Sequence, residues 1–161
     1  MTRPITTVKK EIRILGLDSC TPQRVIGVVV RGGLFLDGII SFQQNGNRRT
    51  QDVVGKILKT KYFPELRSIM VHDPMSRLDP AKIEQVTRLP IIQVSGAKPG
   101  NGKGYKVIYR TKYPLWVKTK LESTTLEKIL SLTWTTGLLP EPVRVAHLLA
   151  GTTNPKTALM G

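Results

Sequence analysis

Apolar positions along the chain first alternate and then run together. In EIRILGLD (Glu11 to Asp18), Ile12, Ile14 and Leu17 are apolar and Gly16 permits close backbone approach. The segment reads as a strand ending in a carboxylate. RVIGVVVRGG (Arg24 to Gly33) is apolar almost throughout, as expected of a strand in a sheet covered on both faces. Gly32 and Gly33 supply a tight turn, and LFLDGIISFQ (Leu34 to Gln43) returns as a third strand interrupted by Asp37. Asn45-Gly46 marks the next turn.

The period then changes. Val53, Val54, Ile57, Leu58 and Tyr62 recur at helical spacing and predict a helix from Thr50 to about Tyr62, with Thr50 as cap and Pro64 as stop. RSIMVHD (Arg67 to Asp73) is a short strand. Asp79-Pro80 opens a second helix, Leu89-Pro90 ends it, and PIIQVS (Pro90 to Ser95) is a further strand. GAKPGNGKGY (Gly96 to Tyr105) is a basic, glycine-rich loop. YKVIYRTKYPLWVKTK (Tyr105 to Lys120) interleaves aromatic, aliphatic and basic residues, a pattern that suits a half-buried edge strand and also nucleobase stacking with phosphate contacts. Ser123 and Thr124 open another helix, with Glu127 placed as acidic partner in a Thr124 capping box and Gly137 as stop. A last helix is led by Pro142 and apolar at Val143, Val145, Ala146, Leu148 and Leu149, followed by a flexible tail over 151–161. Three antiparallel strands followed by alternating helix and strand predict an α/β fold: one domain over 1–161, a ribonuclease H-like mixed sheet with flanking helices. A ferredoxin-like or doubly wound arrangement fits the same order.

Composition narrows the class. At 161 residues and 40% hydrophobic, the chain can bury a core and is no disordered basic tail. A single cysteine, Cys20, excludes an internal disulfide and a thiolate-rich zinc site. No apolar run reaches a membrane span, and MTRPITTVKKEIRI lacks the apolar stretch of a signal peptide. A cytoplasmic protein with no membrane partner is expected. The formal net charge of +14 would attract polyanions, so DNA or RNA is the expected partner class, against a surface made basic only for solubility. Arg48, Arg49, Lys103, Lys106 and Arg110 are the candidate contacts. No arm of consecutive basic residues exists, so any binding surface must be assembled by folding. Sheet edges with apolar residues would also support a homodimer.

Asp18 has the clearest functional placement, at a strand end before a Ser-Cys-Thr-Pro loop. Carboxylates there hold Mg²⁺ in ribonuclease H-like nucleases, with Asp73 as a candidate second ligand and Asp37 as a further catalytic candidate. Otherwise these aspartates accept loop hydrogen bonds or pair with basic groups. His72 is a candidate site residue because it precedes Asp73. A zinc site would need both histidines, His72 and His147, with carboxylates or Cys20, and their spacing forms no ligand motif. His147 reads as a satisfied histidine on the last helix and Cys20 as an idle thiol. Gly102-Lys103-Gly104 lacks the hydroxyl that a phosphate-binding P-loop requires after its lysine.

The segments EIRILGLD, VIGVVVRGGLFLDG and TGLLPEPVRVAHLLA together resemble the archaeal domain-of-unknown-function family 99, from about Lys9 to Ala150. That family is related to endonuclease V. The resemblance implies a ribonuclease H-like fold and Mg²⁺-dependent phosphodiester cleavage near deaminated bases. Asp18 aligns with the first-strand metal aspartate, and Asp37 matches a family aspartate. Elsewhere the chain departs from the pattern. Asp18-Ser19-Cys20 stands where the family has Asp-Asp-Gly, and Asn45 and Arg48 replace two acidic residues. His72 takes an aspartate position, and Arg77-Leu78-Asp79 stands at a Gly-Phe-Asn pattern. Fewer carboxylates weaken a two-metal clamp and favour direct phosphate attraction. The expected function is nucleic-acid binding with a weakened or absent nuclease centre and no cofactor. The alternatives are an Mg²⁺-dependent endonuclease V-like hydrolase, and a non-enzymatic structural or protein-interaction domain.

Overall fold

The computed structural model describes residues 2–22, 24–33, 35–43, 49–100, 102–135 and 137–152. Arg13–Asp18 (β1), Arg24–Arg31 (β2) and Phe35–Gln43 (β3) form an antiparallel meander. Helix Arg49–Lys59 (α1) and a 3-10 turn at Phe63–Glu65 carry the chain to Leu66–His72 (β4), parallel to β1 on its free side. Helix Pro80–Thr87 (α2) leads to Ile91–Ser95 (β5), parallel to β4. Lys106–Tyr109 (β6) and Pro114–Thr119 (β7) add antiparallel strands, and Ser123–Thr133 (α3) and Glu141–Thr152 (α4) complete the chain. The sheet order is β3-β2-β1-β4-β5-β7-β6. This is a mixed α/β fold with a central sheet flanked by helices. No helix among the described residues is long and apolar enough to cross a membrane.

Alternation along the strands divides the core between two faces. Leu15, Leu17, Ile69 and Val71 pack with Val53, Ile57 and Ile83 of α1 and α2. Ile14, Met70, Ile92 and Val94 pack with Leu126, Ile129 and Trp134 from α3 and its end, and with Val143 of α4. Ala146 and Ala150 cover Ile26, Val28 and Val30. The unbroken apolar run of β2 therefore has cover on both sides, as its sequence implies.

Helix boundaries shift where hydrogen bonds compete with periodicity. α1 ends three residues before Tyr62, because Thr60 closes its last turn onto the Ile57 carbonyl through both its amide and its hydroxyl. Thr50 lies inside the helix, and its hydroxyl accepts from the Asp79 amide. Asp79 caps α2 as expected, accepting from the Lys82 amide at 3.3 Å. The Thr124–Glu127 box does not form, since Glu122 is the extended N-cap residue and Thr124 already sits in the first turn. α3 stops at Thr133, before Gly137, whose carbonyl accepts from the Trp134 indole at 3.0 Å. Gly151 belongs to α4, and the rest of the expected tail, 153–161, lies outside the described residues, as do Asn45 and Arg48.

Candidate functional site

β1 and β4 are parallel neighbours whose connections diverge: β1 leads to β2 on one side and β4 to β5 on the other. Ligand crevices in open α/β sheets form outside the carboxyl ends of such strands. Asp18 and His72 end these two strands and are register partners, so their side chains stand side by side on one face. That face is covered by α4. Gly16, two residues before Asp18 on the same face, makes the close approach possible. A Cβ there would overlap the Pro142 carbonyl and lie 2.8 Å from the Pro142 Cβ. The Thr21 hydroxyl donates to the Ala150 carbonyl at 3.0 Å and ties the loop after β1 to the same helix. His147 of α4 is thereby set over Asp18.

The Asp18 carboxylate is fully buried. Its Oδ1 meets His72 Nδ1 at 2.6 Å and His147 Nδ1 at 3.0 Å, and the Cys20 thiol donates to it at 3.4 Å. Its Oδ2 accepts the Cys20 amide at 3.2 Å. The two imidazoles meet edge to face, with centroids 5.1 Å apart. Burial pushes the Asp18 carboxyl up, but the His72 hydrogen bond and charge, the Cys20 amide and His147 outweigh it, so it ionises below its ordinary value. An ionised carboxylate only accepts, so both Nδ1 atoms carry protons toward it. Burial first, then the adjacent Asp18 charge, pushes the Cys20 thiol up to about 12. In this arrangement Cys20 is a protonated thiol and no nucleophile. Asp18, Cys20, His72 and His147 each offer a ligand atom, and these atoms lie within 4.8 Å of one another.

The other expected carboxylates stand apart from this cluster. Asp37 is the extra residue of a bulge, since Val29 pairs Gly38 while Val30 pairs Leu36. Its Oδ2 accepts from Arg13 Nε at 2.8 Å and its Oδ1 lies 3.4 Å from Arg31 Nε, toward the opposite end of the sheet. Asp73 follows β4 and caps the next loop. It accepts from the Ser19 hydroxyl, the Arg77 amide at 2.9 Å and the Leu78 amide at 2.8 Å. Arg77 returns to the Ser19 and Cys20 carbonyls at 3.0 and 3.2 Å, which holds the loop carrying the thiol. The sequence therefore marks Asp18 and His72, while Cys20 and His147, set aside there, complete the group. No spacing in the sequence signals this group: both histidines and the one cysteine of the chain meet Asp18 only in the folded structure.

The basic candidates are spread over several connections. Arg49 donates to the Pro22 carbonyl at 2.9 Å, beside the loop after β1. Lys106 Nζ lies 3.4 Å from the Ser123 hydroxyl, and Lys103 and Arg110 are exposed. Because β1, β4 and β5 are parallel and β7 is antiparallel to β5, loop 96–105 and the turn at 110–113 emerge at the Asp18 end of the sheet. A cavity of about 280 Å³ opens there, lined by Asp73, Ser95, Lys98, Tyr105 and Lys118.

No family model matches the chain. The UPF0215 protein of Methanopyrus kandleri is 29% identical over 89% of this chain and 91% of its own length. That of Methanosarcina mazei is also 29% identical over the same shares, and that of Pyrococcus furiosus 25% over 91% and 94%. The chain is thus similar to archaeal UPF0215 proteins over about nine tenths of its length. An archaeal family of unknown function is what the motifs imply. Among solved structures, a protein of unknown function from Archaeoglobus fulgidus superposes with a TM-score of 0.68 at 20% identity, covering 87% of this chain and 96% of that one. Marinitoga piezophila Argonaute, in complex with 5' OH guide RNA and target DNA, gives 0.67 at 14% identity, covering 90% of this chain and 30% of that one. At these identities the likeness is one of fold.

Proposed function

We propose that this chain is a nucleic-acid-binding protein on a ribonuclease H-like, endonuclease V-like sheet, without an efficient nuclease centre. The observation that carries this reading is the state of the three aspartates. Asp18 is buried at the end of β1, and its oxygens are engaged by two imidazoles, a thiol and an amide. Asp37 is held by arginines and Asp73 by the loop it caps. A two-metal phosphodiester clamp draws on several convergent carboxylates. The +14 charge, with Arg49, Lys98, Lys103 and Arg110 in connections at the same sheet end, supports phosphate attraction instead. The Argonaute likeness lends support by fold, because that protein holds a guide RNA and a target DNA on a chain of which this fold matches 30%. The magnesium hydrolase alternative keeps Asp18 in the family's first metal position, but a thiol and two imidazoles are softer donors than Mg²⁺ selects.

The test is a titration against labelled single-stranded and duplex DNA and RNA, in Mg²⁺ and in EDTA, across a salt series, with product length read from the same samples. Saturable, salt-steep binding without new products is expected. Mg²⁺-dependent cleavage abolished by Asp18→Ala would overturn the reading in favour of the hydrolase. Absence of binding to every probe at low salt would overturn it in favour of a surface with no nucleic-acid role.

A further inference from the structure

We propose that Asp18, Cys20, His72 and His147 form a binding site for a zinc ion. The donor set, one carboxylate oxygen, one sulfur and two imidazole nitrogens, suits tetrahedral zinc, and its softness selects against magnesium and calcium. Zinc–ligand bonds of about 2.0–2.3 Å place the corners of a tetrahedron about 3.3–3.8 Å apart. Cys20 Sγ already stands 3.4 Å from Asp18 Oδ1 and 3.7 Å from His72 Nδ1. The Asp18–His72 and Asp18–His147 pairs, at 2.6 and 3.0 Å, are closer because a proton bridges each of them. Replacing those bridging protons by an ion needs them to open by a few tenths of an ångström to about an ångström, with the imidazole protons moving to Nε2. The thiol gives its proton to solvent. Zinc, the carboxylate and the thiolate then sum to zero charge, which suits a centre whose carboxylate is fully buried.

The supports of the site are rigid and its mouth is open. Cys20 is fixed by its amide on Asp18 and by Arg77 on its carbonyl. His72 ends a central strand, and His147, its side chain 47% exposed, offers a route from solvent. The ion would bind the loop after β1, the end of β4 and α4 into one unit. This inference does not depend on nucleic-acid binding.

The experiment uses the full chain. Metal content is measured by elemental analysis as purified, and the chelator-stripped protein is titrated with Co²⁺ as a spectroscopic stand-in. About one zinc per chain and a thiolate-to-cobalt charge-transfer band are expected. Cys20→Ser should lose that band while keeping its circular dichroism. His147→Ala, at an exposed helix position, should loosen Co²⁺ by more than the roughly 10–100-fold typical of losing an outer partner. Should Cys20→Ser fail to fold, the His147→Ala titration and the zinc-induced rise in the wild-type melting temperature decide. Folded wild-type protein that binds neither ion tightly would overturn the assignment. So would a charge-transfer band that survives Cys20→Ser, or Co²⁺ affinity unmoved by His147→Ala.

Discussion

Asp18 shows how one side chain organises a site. Burial alone would make this carboxyl a weak acid, and only the donors facing it, from Cys20, His72 and His147, reverse the direction. Asp18→Ala should therefore leave a buried His72 donor without its acceptor and cost about 1–3 kcal/mol at neutral pH, read by denaturant unfolding of the metal-free chain. The pH dependence has a definite sign. A carboxyl whose folded pKa lies below its unfolded value stabilises above the unfolded pKa, near 3.9, and loses that contribution as pH falls through the folded value. The gap between wild type and Asp18→Ala should thus persist at neutral pH and narrow below about pH 4. A gap that widened in acid would contradict the account. Asp18 and His72 are legible in the sequence because each ends a strand. His147 is not, because 129 positions separate it from Asp18 and only the docking of a helix brings it there. Cys20 escapes for a related reason: two residues past Asp18, it turns back because its amide bonds the Asp18 carboxylate, a local loop geometry that residue types alone do not announce.

Between elements, glycine decides how closely a helix can sit. Gly16 is the point where β1 accepts the backbone of Pro142, and the placement of α4 follows from it. Gly16→Ala should force the two apart. Overpacking of this kind costs about 1–3 kcal/mol, a fall in melting temperature of roughly 2–12 °C for a chain of this size. The same variant should weaken Co²⁺ binding although every ligand residue is present, because His147 moves with its helix. Gly55, within α1, gives the opposite expectation. A Cβ there meets nothing within 4 Å, so Gly55→Ala should stabilise by about 0.5–1 kcal/mol through helix propensity alone. Strands are the most legible elements, because alternation and the continuous run over Val25 to Val30 report their burial directly. Helix ends are less so: the Thr124 box fails because the N-cap is Glu122, two residues earlier than the box requires.

Charge acts on the whole molecule. Net charge is visible from composition, but its distribution is set by topology, since three parallel strands send their following connections to one end of the sheet. Lys98 and Lys103 in loop 96–105 and Arg110 in the β6–β7 turn are exposed at that end. α1 runs from the same end to the other, so Lys59 and Lys61, also exposed, mark the opposite pole. If phosphates are read at the Asp18 end, replacing Lys98, Lys103 and Arg110 by alanine should flatten the plot of log affinity for duplex DNA against log salt. Each lost phosphate contact should remove about 0.9 from the slope. The Lys59→Ala, Lys61→Ala pair removes two charges from the same total and should leave the slope nearly unchanged. Equal loss from both sets would mean that net charge alone attracts the polyanion, with no preferred face. Loss from the second set only would place the nucleic acid at the end of the sheet away from Asp18, and would separate any metal chemistry at that residue from nucleic-acid binding.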